Sequence, residues 1–291
     1  MVGDFMSANS ETNKEISKRF SVSMCVYKND NPEHFKLALE SVINQTRKPD
    51  EIVLVVDGPI PASINEVIKS YEGKTFFKVI RLTKNVGHGN ARRIGLENCS
   101  NELIALMDAD DISIPNRFEK QIRCFEQDES LSIVGGNIKE FIGSVDNVVG
   151  IREVPQGDAD IKEYLKKRCP FNQVTVMLKR NDVEAAGGYI DWHYEEDYYL
   201  WIRMYQNGAT FMNLKESLVF VRVGNEMYQR RGGVKYFKSE AQLQKYMLDQ
   251  SIIKFPTFTC NIAIRFILQV LMPNNLRGIV FRKFARKSGS K

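Results

Sequence analysis

Cysteine and histidine are scarce in this 291-residue chain, and neither is grouped. The five cysteines (Cys25, Cys99, Cys124, Cys169, Cys260) are odd in number and scattered. That pattern excludes the paired spacing of a zinc site or a disulfide framework and points to reduced thiols. The three histidines, His34, His88 and His193, lie far apart, which speaks against a His-based metal site. Long hydrophobic runs are missing too, so no membrane-spanning helix is expected. Residues 1–19 are polar and lack the apolar core of a secretory signal; they read as a flexible N-terminal arm. There is no internal repeat and no low-complexity segment. Gly87 and Gly89 begin a dinucleotide-like pattern, but the third glycine it needs would fall on Arg92, and the phosphate-loop pattern of Gly-Lys-Ser/Thr does not occur. No nucleic-acid-reading motif is present.

What remains has the composition of a globular protein, 43% hydrophobic and 26% charged. The net charge of +5 is unevenly placed: residues 250–291 hold eight of the 41 Lys and Arg residues and none of the 36 acids. The body is therefore slightly acidic and the tail strongly basic.

Short apolar runs alternate with helical patterns through the first 130 residues. Ser21 to Tyr27 is β-rich. Asn31-Pro32 opens a helix bearing Phe35, Leu37, Leu39, Val42 and Ile43, and Glu51 to Val56 is apolar enough for a strand buried on both faces. A helix over 62–71, a strand over 76–82, a glycine-bearing turn and helix over 85–95, and a strand ending at Met107 follow. This rhythm predicts an α/β fold, an open and mostly parallel sheet with helices on both faces, whose ligands bind beyond the carboxyl ends of the strands. Asp57 and the run Asp108-Ala-Asp110-Asp111 lie at such ends. Carboxylates grouped there without a neighbouring Lys or Arg repel one another and suit a hard divalent cation such as Mg²⁺ or Mn²⁺ bridged to a diphosphate. The competing reading is local: Asp111 or Ser113 would cap the helix opening near Pro115. Farther on, strands are predicted over 132–141, 147–154 and 173–178, and helices over 158–167 and 194–207. The last helix carries a second acidic group, Glu195-Glu196-Asp197, which the helix dipole alone would also favour.

Taken in order, these segments resemble the family 2 glycosyltransferases of GT-A fold. Ser21-Val-Ser-Met-Cys-Val-Tyr27 resembles the first strand, and Ala38 to Thr46 the helix ending in Ser-x-x-x-Gln-Thr. Asp50 to Gly58 resembles the second strand with its aspartate, and Asn85-x-Gly87-x-x-x-Ala91-Arg92 followed by Leu106-Met-Asp108-Ala-Asp110-Asp111 and Pro115 resembles the D-x-D region. The resemblance covers residues 20–128, with Glu196-Asp197 to Arg203 as a further anchor. It implies a nucleotide-sugar site in which Asp57 meets the base, Tyr27 and Arg92 contact the nucleotide or its phosphates, and Asp108 contacts the ribose or the metal's water shell. Asp110, with Asp108, would hold Mn²⁺ or Mg²⁺, Asp197 would be the catalytic base, and Glu196 would bind or orient the acceptor. Two departures are visible: Arg93 replaces the family's Asn after the Ala-Arg pair, and Val56 replaces an aspartate before Asp57.

The implied activity is an inverting, metal-dependent hexosyl transfer from a nucleotide sugar, a UDP-sugar, to a glycan acceptor. In capsule, O-antigen and exopolysaccharide synthesis such acceptors are carried on lipid diphosphates. The implied layout is a catalytic domain over 20–225, with a nucleotide-sugar half (20–130) and an acceptor half (131–225), then a helical basic extension over 226–291. Glu195, Arg230 and Arg231 are candidate diphosphate or acceptor contacts. Apolar and basic residues interleave over 276–287 as in an interfacial helix drawn to an anionic membrane, so a cytoplasmic enzyme peripheral on the inner face of the cell membrane is expected. The alternatives are a nucleotidyltransferase, which would want a glycine-rich basic loop where Tyr27-Lys28-Asn29-Asp30 stands, and a non-catalytic carbohydrate- or nucleotide-binding scaffold of the same fold.

Overall fold

The computed structural model describes residues 18–224 and 232–273. Its centre is a nine-stranded sheet. Three crossovers build one half of it: β1 (Phe20–Val26), α1 (Pro32–Ile43), β2 (Glu51–Val56), α2 (Ala62–Lys69), β3 (Phe77–Arg81), α3 (His88–Glu97) and β4 (Leu103–Met107). The strands β3, β2, β1 and β4 lie side by side and parallel, as the alternation predicts. Beyond β4 the sheet becomes mixed. The strands β5 (Ile112–Ser113), β6 (Leu131–Phe141), β7 (Val148–Arg152), β8 (Met177–Lys179) and β9 (Thr210–Arg222) add mainly antiparallel contacts, although β6 and β9 run parallel.

The period of two along each strand sends alternate residues to opposite faces. Leu103, Ala105 and Met107 of β4 join a core with Phe35 and Leu39 of α1, Ile64 of α2, and Phe118 and Ile122 of α4 (Arg117–Gln127). Ile104 and Leu106 join the opposite core. There they meet Leu96 of α3, Ile161 of α5 (Asp158–Leu165) and Trp201 of α7 (Glu196–Gln206), with Leu243 of α8 (Val234–Asp249) behind. A short α6 (Arg180–Ala185) precedes α7, and α9 (Phe255–Phe266) runs on into one π-helical turn over Ile267–Leu271.

Local chemistry explains several boundaries. Asn31 caps α1, its Oδ1 accepting from the backbone N–H groups of Glu33 and His34 at 2.9 and 3.1 Å, with Pro32 in the first turn. The expected strand over 173–178 is instead a 3₁₀ turn over Gln173–Thr175 followed by β8. Asp111 and Ser113 do not cap the helix after Pro115; α4 begins at Arg117 behind Asn116, without a side-chain cap. Asp111 instead accepts the Arg222 N–H at 2.8 Å and ties the D-x-D segment to β9.

Candidate active site

Three parallel strands deliver the site. Register pairs Val26 with Val56 and Met24 with Met107, so Tyr27, Asp57 and Asp108 emerge together at the carboxyl rim. Tyr27 is exposed, and its N–H donates to Asp30 Oδ2 at 2.9 Å. Asp57 is buried and clamps the turn before α3: Oδ1 accepts the Val86 N–H at 2.7 Å and Oδ2 accepts Asn85 Nδ2 at 2.8 Å. The following Gly58 has φ +86°, and a Cβ there would stand 2.6 Å from the Asn85 nitrogen. Glycine is the residue that permits this close approach.

The D-x-D carboxylates part company at once. Asp108 is half-buried and paired with Arg92 at 2.9 Å, Asp110 is exposed at the rim, and Asp111 is buried against β9. Burial alone would raise the Asp108 carboxyl, yet Arg92 and His88 hold it below the usual range. Asp30, from the loop after β1, is pushed up to about 6 by burial, with Asp110 and Asp108 adding to the rise. Burial and the same two charges lift Asp111 well above its ordinary value. Four carboxylates therefore share one field on this rim.

Arg92 is the hub of the site. One guanidinium nitrogen donates to Asp108 Oδ1 at 2.9 Å, and the other to Gln173 Oε1 at 2.9 Å and Glu196 Oε1 at 3.2 Å. Gln173 in turn donates from Nε2 to the Tyr189 hydroxyl at 2.9 Å. His88 Nδ1 stands 3.7 Å from Glu196 Oε1, and the Arg92 charge together with burial pulls the imidazole down to about 4. Burial and the Asp197 charge push Glu196 up to about 7 against the pull of Arg92. The sequence reading made Arg92 a phosphate or nucleotide contact. In the structure the guanidinium is buried and its two terminal nitrogens bond within the protein, bracing the first acidic group against the second.

Residues 195–197 point different ways, because consecutive helical residues are turned by about 100°. Glu196 faces Arg92. Asp197 is half-buried, accepts its neighbour's Tyr198 N–H at 2.6 Å, and raises Tyr189, Cys169 and Glu196, which places its charge among them. Glu195, a candidate diphosphate or acceptor contact, is buried, bonded to Tyr236 of α8 and close to Glu240 and Arg265. Arg230, Arg231 and the basic segment 276–287 lie outside the described residues.

Among the described residues no three His, Cys, Asp or Glu side chains converge to hold a metal unaided. The donor set still fits a hard cation that completes its shell with substrate oxygens: the exposed Asp110 is flanked by Asp108, and burial with mutual repulsion raises Asp30 and Asp111 beside them.

Several residues here escaped the sequence reading. Gln173 and Tyr189 are ordinary residues in segments without periodicity, and no pattern marks them. Arg117 carried a signal. With Gln121 it puts polar atoms four residues apart on the otherwise apolar face of α4 that holds Phe118, Ile122 and Phe125. Arg117 is fully buried, donating to Leu106 O at 2.9 Å, Val176 O at 3.3 Å and Gln121 Oε1 at 3.0 Å, and burial lowers it to about 9. It is a fixed cation beneath Asp108.

The chain is similar to known proteins in sequence and in fold. Residues 21–188 match the profile described as Glycosyl transferase family 2. A Haemophilus influenzae protein described as an uncharacterized glycosyltransferase is 39% identical over 269 residues, 92% of this chain and 100% of its own. The Escherichia coli UDP-Gal:alpha-D-GlcNAc-diphosphoundecaprenol beta-1,3-galactosyltransferase is 33% identical over 269 residues, 92% of this chain and 97% of its own. The fold is that of S. aureus TarS 1-349, solved in complex with UDP-GlcNAc, with a TM-score of 0.64 at 16% identity over 86% of this chain and 72% of that one. With its GT-A-type mixed sheet and its two acidic groups gathered on one arginine, the chain belongs to glycosyl transferase family 2 and is a glycosyltransferase.

Proposed function

We propose that the chain moves a sugar, with inversion, from a UDP-sugar to a hydroxyl of a lipid-diphosphate-linked glycan in surface-polysaccharide synthesis. The observation that carries this reading is the single guanidinium of Arg92, which bonds both Asp108 and, 104 positions away in sequence from the arginine, Glu196, and so joins the nucleotide-side acids to the acceptor-side acids in one cleft. The E. coli relative, whose name specifies UDP-Gal and a diphosphoundecaprenol acceptor, supports the donor and acceptor classes.

In this reading Asp57 and Tyr27 flank the base, and Asp57 also fixes the Asn85-Val86 turn beside it. Asp108 lies toward the ribose and diphosphate, oriented by Arg92. Asp110, with Asp108, would hold Mn²⁺ or Mg²⁺, and a cation there would neutralise charge building on the leaving diphosphate. Asp197 takes the proton of the attacking hydroxyl as the new C–O bond forms. Glu196, held by Arg92, orients the acceptor beside it. The catalytic domain would span 20–225 and the extension 226–291, with the basic segment 276–287 keeping the enzyme on the anionic inner face of the membrane.

Calorimetric binding of UDP, GDP, CMP and dTDP, each with and without Mn²⁺, to the wild type and Asp110→Asn tests the donor side. Metal-dependent binding of UDP that weakens in the variant is expected; binding unaffected by metal or by the variant overturns the cation assignment. Asp197→Asn should keep UDP affinity and lose transfer, and retained transfer would sink its role as base.

A further inference from the structure

α9, the last helix among the described residues, is built inside out. Its buried side chains are polar: Asn261, Arg265 and Gln269 are 6%, 8% and 5% exposed and recur every four residues. They form a hydrogen-bonded inner seam. Asn261 Nδ2 donates to Gln244 Oε1 at 2.7 Å and Lys166 O at 3.0 Å. Arg265 pairs with Glu240 at 3.1 Å and donates to Lys167 O at 2.9 Å, and Gln269 also donates to Glu240. Its large exposed side chains are apolar: Phe255, Ile264, Ile267 and Leu271 are 65%, 49%, 51% and 62% exposed. A helix on the water-facing surface of a globular protein carries the reverse pattern. Ile264, Ile267 and Leu271, three and four residues apart, make one continuous outward strip, with Cys260 and Ala263 exposed beside it.

We propose that this outward face of α9 lies in the interface of an anionic lipid bilayer and docks the enzyme by insertion rather than by charge alone. The helix and its π-turn together are about 25 Å long, and no helix among the described residues is long and apolar enough to cross a membrane. The face therefore lies in the plane, as amphipathic interfacial helices do. Charge selects the occupant. Residues 250–291 hold eight basic residues and no acid. Of these, Lys254 stands exposed at the start of α9 and six follow the helix directly in sequence; a second copy of so basic a segment would bring like charges together, whereas anionic headgroups complement them. The inner seam also says what insertion would hold in place. Glu240, which grips Arg265 and Gln269, lies on α8 one turn from Tyr236, the partner of Glu195 at the start of the catalytic helix α7. The active-site helix would thus be carried at a fixed height above the bilayer, where the diphosphate of a lipid-linked acceptor lies. This deepens the membrane side of the proposed function and rests on it.

The test uses the full chain and vesicles of phosphatidylglycerol and phosphatidylethanolamine at high salt, where attraction by the basic residues is screened. The wild type should remain bound, and the double variant Ile264→Asp/Ile267→Asp should bind at least about tenfold more weakly, since two buried isoleucines are removed from the apolar phase. Both positions face outward, so the thermal transition and UDP binding of the variant should match the wild type; this keeps a failure here separate from a failure of the catalytic assignment. The wild type supplies a second readout. Alkylation of the exposed Cys260 by a charged maleimide, mapped by peptide mass, should be slowed about tenfold or more by vesicles. Unchanged binding in the double variant overturns the proposal, and so does an unchanged Cys260 rate. A Cys260 already blocked in buffer, or a dimer in sedimentation that the double variant abolishes, overturns it in favour of a protein cover.

Discussion

Replacing Arg92 by Met tests the brace between the two acidic groups most directly. The wild-type guanidinium side chain is 10% exposed, and its partners Glu196 and Asp108 are 11% and 36% exposed. Removing one member of a buried ion pair costs about 3–5 kcal/mol, because the other charge is left uncompensated. Glu196 escapes most of that cost by protonating, and with a native value of about 7 this takes only about 1.4 kcal/mol at pH 8. Asp108, a third open to solvent, adds at most about 1 kcal/mol after screening, and the orphaned Gln173 carbonyl about 1 kcal/mol more. A loss of about 3 kcal/mol at pH 8 is therefore expected for Arg92→Met. The loss should shrink as pH falls through about 7, where native Glu196 takes up a proton and no longer needs a counter-charge. Urea unfolding followed by the fluorescence of Trp192 and Trp201 at pH 5.5 and pH 8 (two choices, roughly bracketing that protonation) reads both quantities. A penalty under about 1 kcal/mol at the higher pH would mean that the pair is no better than a surface bridge. A penalty independent of pH would remove Glu196 from the account. Arg92→Lys should recover only part of the loss, since an ammonium cannot fork between Asp108, Gln173 and Glu196.

Three further outcomes follow from particular side chains. Gly58→Ala should lower stability by about 1–3 kcal/mol in thermal unfolding, because φ is positive and the new Cβ meets the Asn85 backbone; an unchanged midpoint would mean that the turn gives way freely. Glu196 is raised from 4.5 to about 7, so the native state holds a proton that the unfolded chain has released, and stability is lost as pH rises through this window. Glu196→Gln should flatten that fall by up to about 1.4 kcal/mol per pH unit, read from urea midpoints between those limits; an unaltered slope would refute the shift. Burial pushes the thiols of Cys25 and Cys99 up to about 12, so iodoacetamide at mildly alkaline pH should modify the exposed Cys260 well before either. Early labelling of Cys25 would contradict the packing around β1.

The half of the fold made of parallel crossovers was legible because its strands are buried on both faces and its helices are amphipathic, and both patterns survive in a linear reading. Asn31-Pro32 marked the start of α1 because its capping chemistry is local. The antiparallel half was less legible. The run over 173–178 is apolar enough for a strand, but Gln173 is pulled out of the ladder into a turn that bonds Arg92 and Tyr189, and nothing in the sequence announces those partners. The orientation of α9 is not legible either: hydropathy shows how much of a helix is apolar, whereas the inward stripe of Asn261, Arg265 and Gln269 is visible only once Glu240 and Gln244 are known to stand opposite.

The acidic runs carry a more general lesson about what a charge cluster in sequence means. Residues 108, 110 and 111 looked like one ligand set and residues 195–197 like one catalytic patch, yet in each run only part of the charge addresses the cleft. Asp111 holds β9 and Glu195 holds α8, each buried and lifted in pKa, while Asp108 and Glu196 converge on Arg92. The chain needs these anchors because the cleft is assembled from pieces far apart in sequence, and each piece must be fastened within a residue or two of the group it presents. Conserving charge at Asp111 or Glu195 would then matter less than conserving the hydrogen bond. Asp111→Asn, which keeps an acceptor for the Arg222 N–H, should leave the fold intact where Asp111→Ala loosens β9, by about 1–3 kcal/mol for the unsatisfied buried donor. Equal destabilisation by both variants would show that the charge itself is required, and would return Asp111 to the ligand set.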